Sequence, residues 1–212
     1  MKAARAALFE TLLPRIALDL KVAPKALGSL FPTPVDEVRL EIGFGGGEHM
    51  ICGAQANPRI GFIGVEPFVN GMAKALAAIA AQSLSNIRLH HGDATEVLAW
   101  LPAASLTHVD LLYPDPWPKR RHWKRRFVQD SSITAIAHVL RSGGEFRFAT
   151  DIADYTSWTL RHMLRFPAFE WTAERADDWR HAWPGFAGTR YEARARREGR
   201  VPCYLTFRRR EL

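Results

Sequence analysis

Val38-Arg39-Leu40-Glu41-Ile42-Gly43-Phe44-Gly45-Gly46-Gly47 is the stretch from which the architecture of this chain is best read. Branched apolar residues favour an extended strand, and the glycines that follow stop it. Glycine tolerates positive φ and lets backbone approach a ligand where a side chain would intrude. The same pattern recurs downstream. Residues 61–66 (GFIGVE) form a second β-type run that stops at Pro67, and 86–93, 107–114 and 143–151 form three more. Helix-period segments lie between them at 69–82, 127–140 and 155–164, and the tail at 201–210 reads as one last strand. Strands alternating with helices predict βαβ units, so the expected fold is α/β, with a doubly wound, mostly parallel sheet and helices on both faces. Residues 38–212 would form that domain. Residues 1–37, broken by Pro14, Pro24, Pro32 and Pro34, read as an N-terminal arm or cap.

Composition narrows the function. A chain of 212 residues buries enough surface, about 70% of what it exposes unfolded, to need no disulfide or metal. Its two cysteines, Cys52 and Cys203, form no CxxC pair, which removes disulfide scaffolds and zinc fingers. The alanine-rich stretch 75–81 is too short to span a membrane, and the N-terminus carries no apolar run of the kind a secretion signal needs. The expected location is cytoplasmic. Twenty-nine Lys and Arg against 22 Asp and Glu give a net charge of +7, which favours a polyanionic partner, most simply nucleic acid.

In a doubly wound sheet, ligands sit beyond the carboxyl ends of the strands. Ordered along that rim are the glycine loop 43–47, Glu66, Asp93, the segment PDPWPK (114–119) and Asp151. The dinucleotide fingerprint GxGxxG fails because position 48 is Glu48, an acid that opposes a pyrophosphate at a helix N-terminus. Walker A is absent. Glu66 lies 23 residues after Gly43, the usual distance to an acid that grips ribose hydroxyls. Asp93 is placed to accept from an adenine amino group. Glu41, between Leu40 and Ile42, would cost several kcal/mol if buried unpaired, roughly, so it is expected to face the crevice or a cation. Glycines and acids without a phosphate receptor suit a nucleoside that carries positive charge, and S-adenosylmethionine is such a ligand.

Prolines at 114, 116 and 118 bias Tyr113, Asp115 and Trp117 away from helix. The expectation is a stiff extended ledge that presents Asp115, similar to the [ND]-P-P-[FYW] ledge of methyltransferases acting on planar nitrogen. Residues 119–126 (KRRHWKRR) carry six Lys or Arg in eight positions. Beside a crevice such a run can take phosphates, and Trp123 can stack on a base. A second basic stretch, 190–210, includes Arg194, Arg196, Arg197 and Arg200.

LEIGFGGGEH, GVEPF, HGDA, LLYPDPWPKRRHWKRRFVQ, FATDIADY and GTRYEARARREG, in that order, resemble the bacterial tRNA (guanine-N7)-methyltransferase family over residues 38–207. The resemblance implies a Rossmann-like class I methyltransferase sheet of seven strands, the seventh antiparallel. It further implies methyl transfer from S-adenosylmethionine to N7 of guanine 46 in the tRNA variable loop. Glu41, Gly43, Gly45, Glu66, Asp93 and Asp115 would meet the cofactor, with Asp115 also the catalytic residue. Lys119, Asp151, Thr189, Arg190, Tyr191 and Glu192 would meet the substrate guanosine. Arg121, His122, Trp123, Lys124, Arg125 and Arg126 would hold the RNA. No metal or membrane is implied, and the chain would act as a monomer or homodimer. Pro118 and Trp123 stand where the family commonly has His and Asn, a departure that bears on the fit to RNA. Two other readings stay open on the residues alone: an S-adenosylmethionine enzyme acting on an exocyclic amine, and a non-enzymatic RNA-binding protein on the same fold.

Overall fold

β1 (Glu37–Ile42) alternates Val38, Leu40 and Ile42 with Arg39 and Glu41, and in the computed structural model it lies inside a seven-stranded sheet. Residues 3–22 and 24–211 are described. The other strands are β2 (Ile60–Val65), β3 (Ile87–His90), β4 (Leu106–Leu112), β5 (Leu140–Thr150), β6 (Phe169–Trp171) and β7 (Cys203–Arg209), in the order β3-β2-β1-β4-β5-β7-β6. β1 to β5 pair in parallel, and β7 runs antiparallel between β5 and β6. The winding direction reverses between β1 and β4. The ends of these two strands therefore flank the crevice where such folds take ligands.

Helices α1 (Ala3–Thr11), α2 (Leu13–Ile16), α3 (Glu48–Ala56), α4 (Val69–Gln82), α5 (Ala94–Trp100), α6 (Asp130–Val139), α7 (Ala153–Met163), α8 (Asp177–Arg180) and α9 (Arg190–Arg197) complete the chain. Two apolar cores follow from strand alternation. Leu40, Val65, Leu111, Phe148 and Leu205 meet α5 and α6 through Val97, Leu98, Ile133 and Ile136. On the opposite face, Phe62, Ile87 and Leu89 meet α3 and α4 through Met50, Ile51, Met72, Leu76 and Ile79. The expected doubly wound architecture is the observed one.

Residues from the N-terminal arm pack against this frame. Leu8, Phe9, Leu12 and Leu13 cover the α4 side, and Ile16 is buried there. Leu18 N–H donates to Leu89 O at 2.9 Å and Ala17 bridges Leu89 in parallel, so the arm occupies the outer edge of β3. An edge strand carries unpaired backbone groups, and this contact covers some of them.

Several elements differ from expectation, among them the short helices α1, α2, α8 and α9, which lie outside the expected helical segments, and β5, which begins at Leu140 rather than 143. β6 is only three residues long, too short for alternation to show in a sequence. α5 opens on Asp93, whose Oδ1 accepts from Thr95 N–H at 2.8 Å. α6 begins at Asp130 rather than at 127, because Gln129 and Ser132 form a reciprocal cap and leave Phe127 outside the helix.

Candidate functional site

Gly43, Gly45 and Gly47 all have positive φ (67°, 59° and 80°), so the loop after β1 coils in a conformation that L side chains resist. Glu66 holds it from below. Its Oε2 accepts from Gly45 N–H at 2.7 Å and its Oε1 from Phe68 N–H at 2.9 Å. Burial pushes the Glu66 carboxyl above its ordinary pKa, against the pull of those two amides. Around Gly43 the space is open. The donor set along this rim is acidic, and the loop leaves room for backbone approach, which fits a cationic nucleoside such as S-adenosylmethionine.

Glu41 is buried, and its partner is His49 of α3, whose Nδ1 lies 2.9 Å from Oε2. Burial pulls the His49 imidazole down, but the Glu41 charge more than offsets it, and the net shift is upward. Strand register then sets Glu41, Asp110 and Arg147 side by side across β1, β4 and β5. Arg147 grips Asp110 with two bonds, Nε–Oδ1 at 2.6 Å and Nη2–Oδ2 at 2.8 Å. Burial opposes the Asp110 charge, yet Arg147 holds its carboxyl below the ordinary range. The Arg147 guanidinium lies 4.9 Å from the Trp183 ring centroid and the His49 ring 5.2 Å from Phe186. The buried charged row thus carries the segment that leads into α9. Sequence reading passes over His49, Asp110, Arg147 and Trp183. The available signal is a charge at alternate positions inside apolar strands, as in VDL and FRF.

The ledge after β4 departs from expectation. Asp115 is exposed, as required of a residue that meets ligand. Tyr113 and Trp117 are not extended: their φ values are 51° and 42°, in the left-handed region. A following proline disfavours the right-handed helical basin without by itself selecting the extended one. Tertiary contacts decide. Tyr113 N–H donates to Ala149 O at 2.7 Å, continuing the β4–β5 pairing, and the Trp117 ring is covered by Arg125 at 4.9 Å. Such backbone costs about 1 kcal/mol or more at each residue, so the ledge must be held by its surroundings.

The basic run is a 3₁₀ helix, Arg120–Arg125. Lys119, Arg120, Arg121, Lys124 and Arg125 are exposed and form no ion pair among the described residues. His122 lies edge-on to Trp117, 5.8 Å between centroids. Two of the expected RNA contacts need correction. The Trp123 ring packs against Trp158 (5.4 Å) and Arg126 with its indole nitrogen buried, which leaves it only partly exposed rather than presented to the solvent as a stacking platform. Arg126 is 1% exposed and cannot reach a phosphate. An apolar surface of Trp158 and Tyr155 draws both inward. The second basic stretch is mostly neutralised in place, by the pairs Arg194–Glu198, Arg196–Glu192 and Arg200–Asp151. Uncompensated positive charge therefore concentrates at 119–125.

α9 brings the Thr189–Glu192 stretch over the glycine loop. A Cβ at Gly45 would lie 3.2 Å from both Arg190 Nη2 and Tyr191 Cε2. Arg190 covers the Tyr191 ring and sits 4.0 Å from Glu48. Thr189 caps the helix, accepting from Glu192 N–H at 3.1 Å. Glu192 is buried, and its Oε1 accepts from Tyr204 Oη (2.6 Å) and Arg196 Nε (2.9 Å). Its Oε2 is buried with no partner, an acceptor left over. Asp151, at the end of β5, is paired with Arg200, while Asp93 is exposed at the start of α5 and Lys119 is exposed at the end of the ledge. Gly45, Glu66, Arg190 and Tyr191 are thus in one cluster, and Asp93, Asp115 and Asp151 each lie just past the carboxyl end of a strand, β3, β4 and β5. Among the described residues no group of His, Cys, Asp and Glu is arranged to hold a metal, and no helix is long and apolar enough to cross a membrane.

A parallel sheet with one antiparallel strand, a glycine loop after β1 and an acidic rim at the switch point define a class I methyltransferase. The solved structures agree on the fold. The 16S rRNA methyltransferase KamB superposes with a TM-score of 0.61 at 17% identity, covering 84% of this chain and 89% of that one. Precorrin-6y C5,15-methyltransferase from Geobacter metallireducens GS-15 gives 0.55 at 15%, covering 97% and 88%. The family model described as "putative methyltransferase" matches residues 36–204. A tRNA (guanine-N(7)-)-methyltransferase of Rhodopseudomonas palustris (strain BisB5) is 61% identical over 210 residues, 99% of this chain and 82% of that protein. Its namesake in Rhizobium meliloti (strain 1021) is 59% identical over 206 residues, 97% and 89%. The chain belongs to the tRNA (guanine-N(7)-)-methyltransferase family.

Proposed function

We propose that this protein transfers a methyl group from S-adenosylmethionine to N7 of a guanine in tRNA, at position 46 of the variable loop. The observation that carries the reading is the meeting at Gly45: a cofactor-type glycine loop, pinned by Glu66, lies directly under Arg190 and Tyr191 of the α9 stretch. When bound, S-adenosylmethionine supplies an electrophilic methyl group on a sulfonium. The chain supplies the rest. Gly43 admits the ligand to the backbone, and Glu66, Asp93 and Asp115 supply acceptors for its cationic and hydroxyl-bearing parts, whereas the expected contact from Glu41 is replaced by its buried pairing with His49. Each Glu66 oxygen keeps a second lone pair beyond its amide bond, which leaves it able to accept from a ribose hydroxyl.

Guanine N7 is an exposed lone pair, so no general base has to remove a proton. Alignment is the main requirement, and it contributes about 7–11 kcal/mol when the reacting atoms are well placed. Asp115 on its ledge sets a fixed negative charge where positive charge arrives on the base. Lys119, exposed at the end of the ledge, and Asp151, just after β5, are the groups assigned to the guanosine, whereas the expected contact from Glu192 does not fit its burial against Tyr204 and Arg196. Arg121, His122, Lys124 and Arg125 supply the exposed cationic surface for the RNA backbone. The activity belongs to the cytoplasm, where tRNA is modified.

The test is methyl transfer to an unmodified tRNA transcript with labelled cofactor and identification of the product nucleoside. N7-methylguanosine from the variable loop is expected, and Asp115→Ala is expected to abolish it while tRNA binding persists. A different methylated nucleoside would overturn the base assignment, and full activity in Asp115→Ala would remove that residue from the mechanism.

A further inference from the structure

Arg126 stands out among the basic residues of its run because its side chain is fully buried. A guanidinium is costly to remove from water unless it is paired and hydrogen-bonded. Here it sits 5.0 Å from the ring centroids of Trp123, Tyr155 and Trp158 at once. Desolvated cation–π contacts of this kind offset part of the burial cost. Nη2 pairs with Asp154 in the first turn of α7, and Nε donates to the Pro116 carbonyl at 2.9 Å. Nη1 is buried with no partner among the described residues, so the group is held for its other bonds rather than for complete satisfaction.

The Pro116 bond matters because of where Pro116 lies. It follows Asp115 directly, between two residues, Tyr113 and Trp117, whose backbones are left-handed at a cost. Proline supplies no N–H, so the 114–118 segment can donate few backbone bonds of its own, and its hold must come from acceptors such as this carbonyl. Arg126 joins that carbonyl to α7, an element packed on the sheet. Gln129 Nε2 closes the arrangement by donating to Trp123 O (3.0 Å) and Arg126 O (3.2 Å).

We propose that Arg126 is a positioning residue: from an aromatic cage, its guanidinium ties the Pro116 carbonyl to Asp154 and so fixes the strained ledge that carries Asp115. This rests on the reading of Asp115 as the residue that meets the reacting groups. A lysine would keep the charge but has a single nitrogen and cannot bridge both acceptors in the same planar geometry.

The test uses the full chain with Arg126→Lys and Arg126→Ala, three measurements, and Asp115→Ala and Arg125→Ala for comparison. Hydrogen exchange of the Tyr113 amide, which donates to Ala149 O at the root of the ledge, reports the ledge directly. Single-turnover and steady-state methyl transfer on a tRNA transcript separate kcat from KM, and tRNA affinity across a salt series gives the phosphate count. In Arg126→Lys, ledge exchange is expected to rise about tenfold or more and kcat to fall about 100-fold, the scale of an ångström-sized misplacement. KM for tRNA should stay within about twofold and the salt slope should match wild type, whereas Arg125→Ala should lower the slope by about one. Millimolar guanidinium, but not ammonium, should restore part of the rate in Arg126→Ala. Wild-type exchange, or raised exchange with wild-type kcat, overturns the proposal. So does a salt slope that falls as it does for Arg125→Ala, which would make Arg126 a phosphate ligand. Should Asp115→Ala remain active while ledge exchange rises in Arg126→Lys, the clamp stands and the role given to Asp115 fails.

Discussion

Gly71→Ala places one methyl group against the proposed cofactor crevice from behind. Gly71 lies in the first turn of α4, and a Cβ there would come closer than 3.0 Å to the Gly45 carbonyl and to within 3.1 Å of Glu66 Cγ. Both obstacles are short of the 3.4 Å at which ordinary contact begins. One of them is backbone, so it cannot rotate away. The loop or the helix must shift by about 0.5 Å or more, at a steric cost of about 1–3 kcal/mol. Alanine returns up to about 1 kcal/mol through helix propensity, so global stability should fall by no more than about 3 kcal/mol. The displacement falls on Gly45 and Glu66, which are bonded to each other. An ångström of misplacement costs about 100-fold in such sites, and half of that implies a loss of about tenfold in cofactor affinity, or about 1.4 kcal/mol. Calorimetric titration with S-adenosylmethionine, beside urea unfolding of the same preparation, reads both quantities. Wild-type affinity in a folded variant would falsify the placement of the cofactor against this loop.

Two predictions concern the buried charged row. Arg147→Met leaves Asp110 buried beside Glu41 without its cation, and unfolding in urea should show a loss of about 3–5 kcal/mol. Adding Asp110→Leu should recover most of it, and a single-variant loss under about 1 kcal/mol would contradict the pairing. His108, next to this row, is pulled down to about 4 by burial and by Arg147 and Arg39. It is neutral when folded and titrates near 6.5 when unfolded, so its contribution is fully present above pH 6.5 and is lost as pH falls toward 4. That loss approaches about 3 kcal/mol. His108→Gln should flatten the fall in urea stability between pH 7 and 4.5 relative to wild type, and an unchanged difference would show that the ring is not buried as neutral imidazole.

The β-type runs at 38–42, 61–66 and 107–114, each ended by glycine or proline, made the parallel sheet legible in the linear chain. Strand direction alone then sets the glycine loop, Glu66, Asp93, Asp115 and Asp151 at the carboxyl ends of successive strands. These features are local: they depend on periodicity and on the few conformations that glycine and proline allow. What a side chain touches is not local. The basic run 119–126 reads as uniformly solvent-facing, yet Arg126 and Trp123 turn inward because Tyr155 and Trp158, some thirty residues on, offer aromatic surface there. Glu41 called for a partner, but His49 and the cross-strand row with Asp110 and Arg147 exist only once three strands are in register. Tyr113 and Trp117 take left-handed backbone against their own preference because the pairing of Tyr113 with β5 and the packing around Trp117 outweigh a local cost of about 1 kcal/mol each. Sequence determined the frame and the edge on which the chemistry stands. The tertiary structure decided which charges face the solvent and which are used to hold the site, because that choice is made by desolvation and packing between residues far apart in the chain.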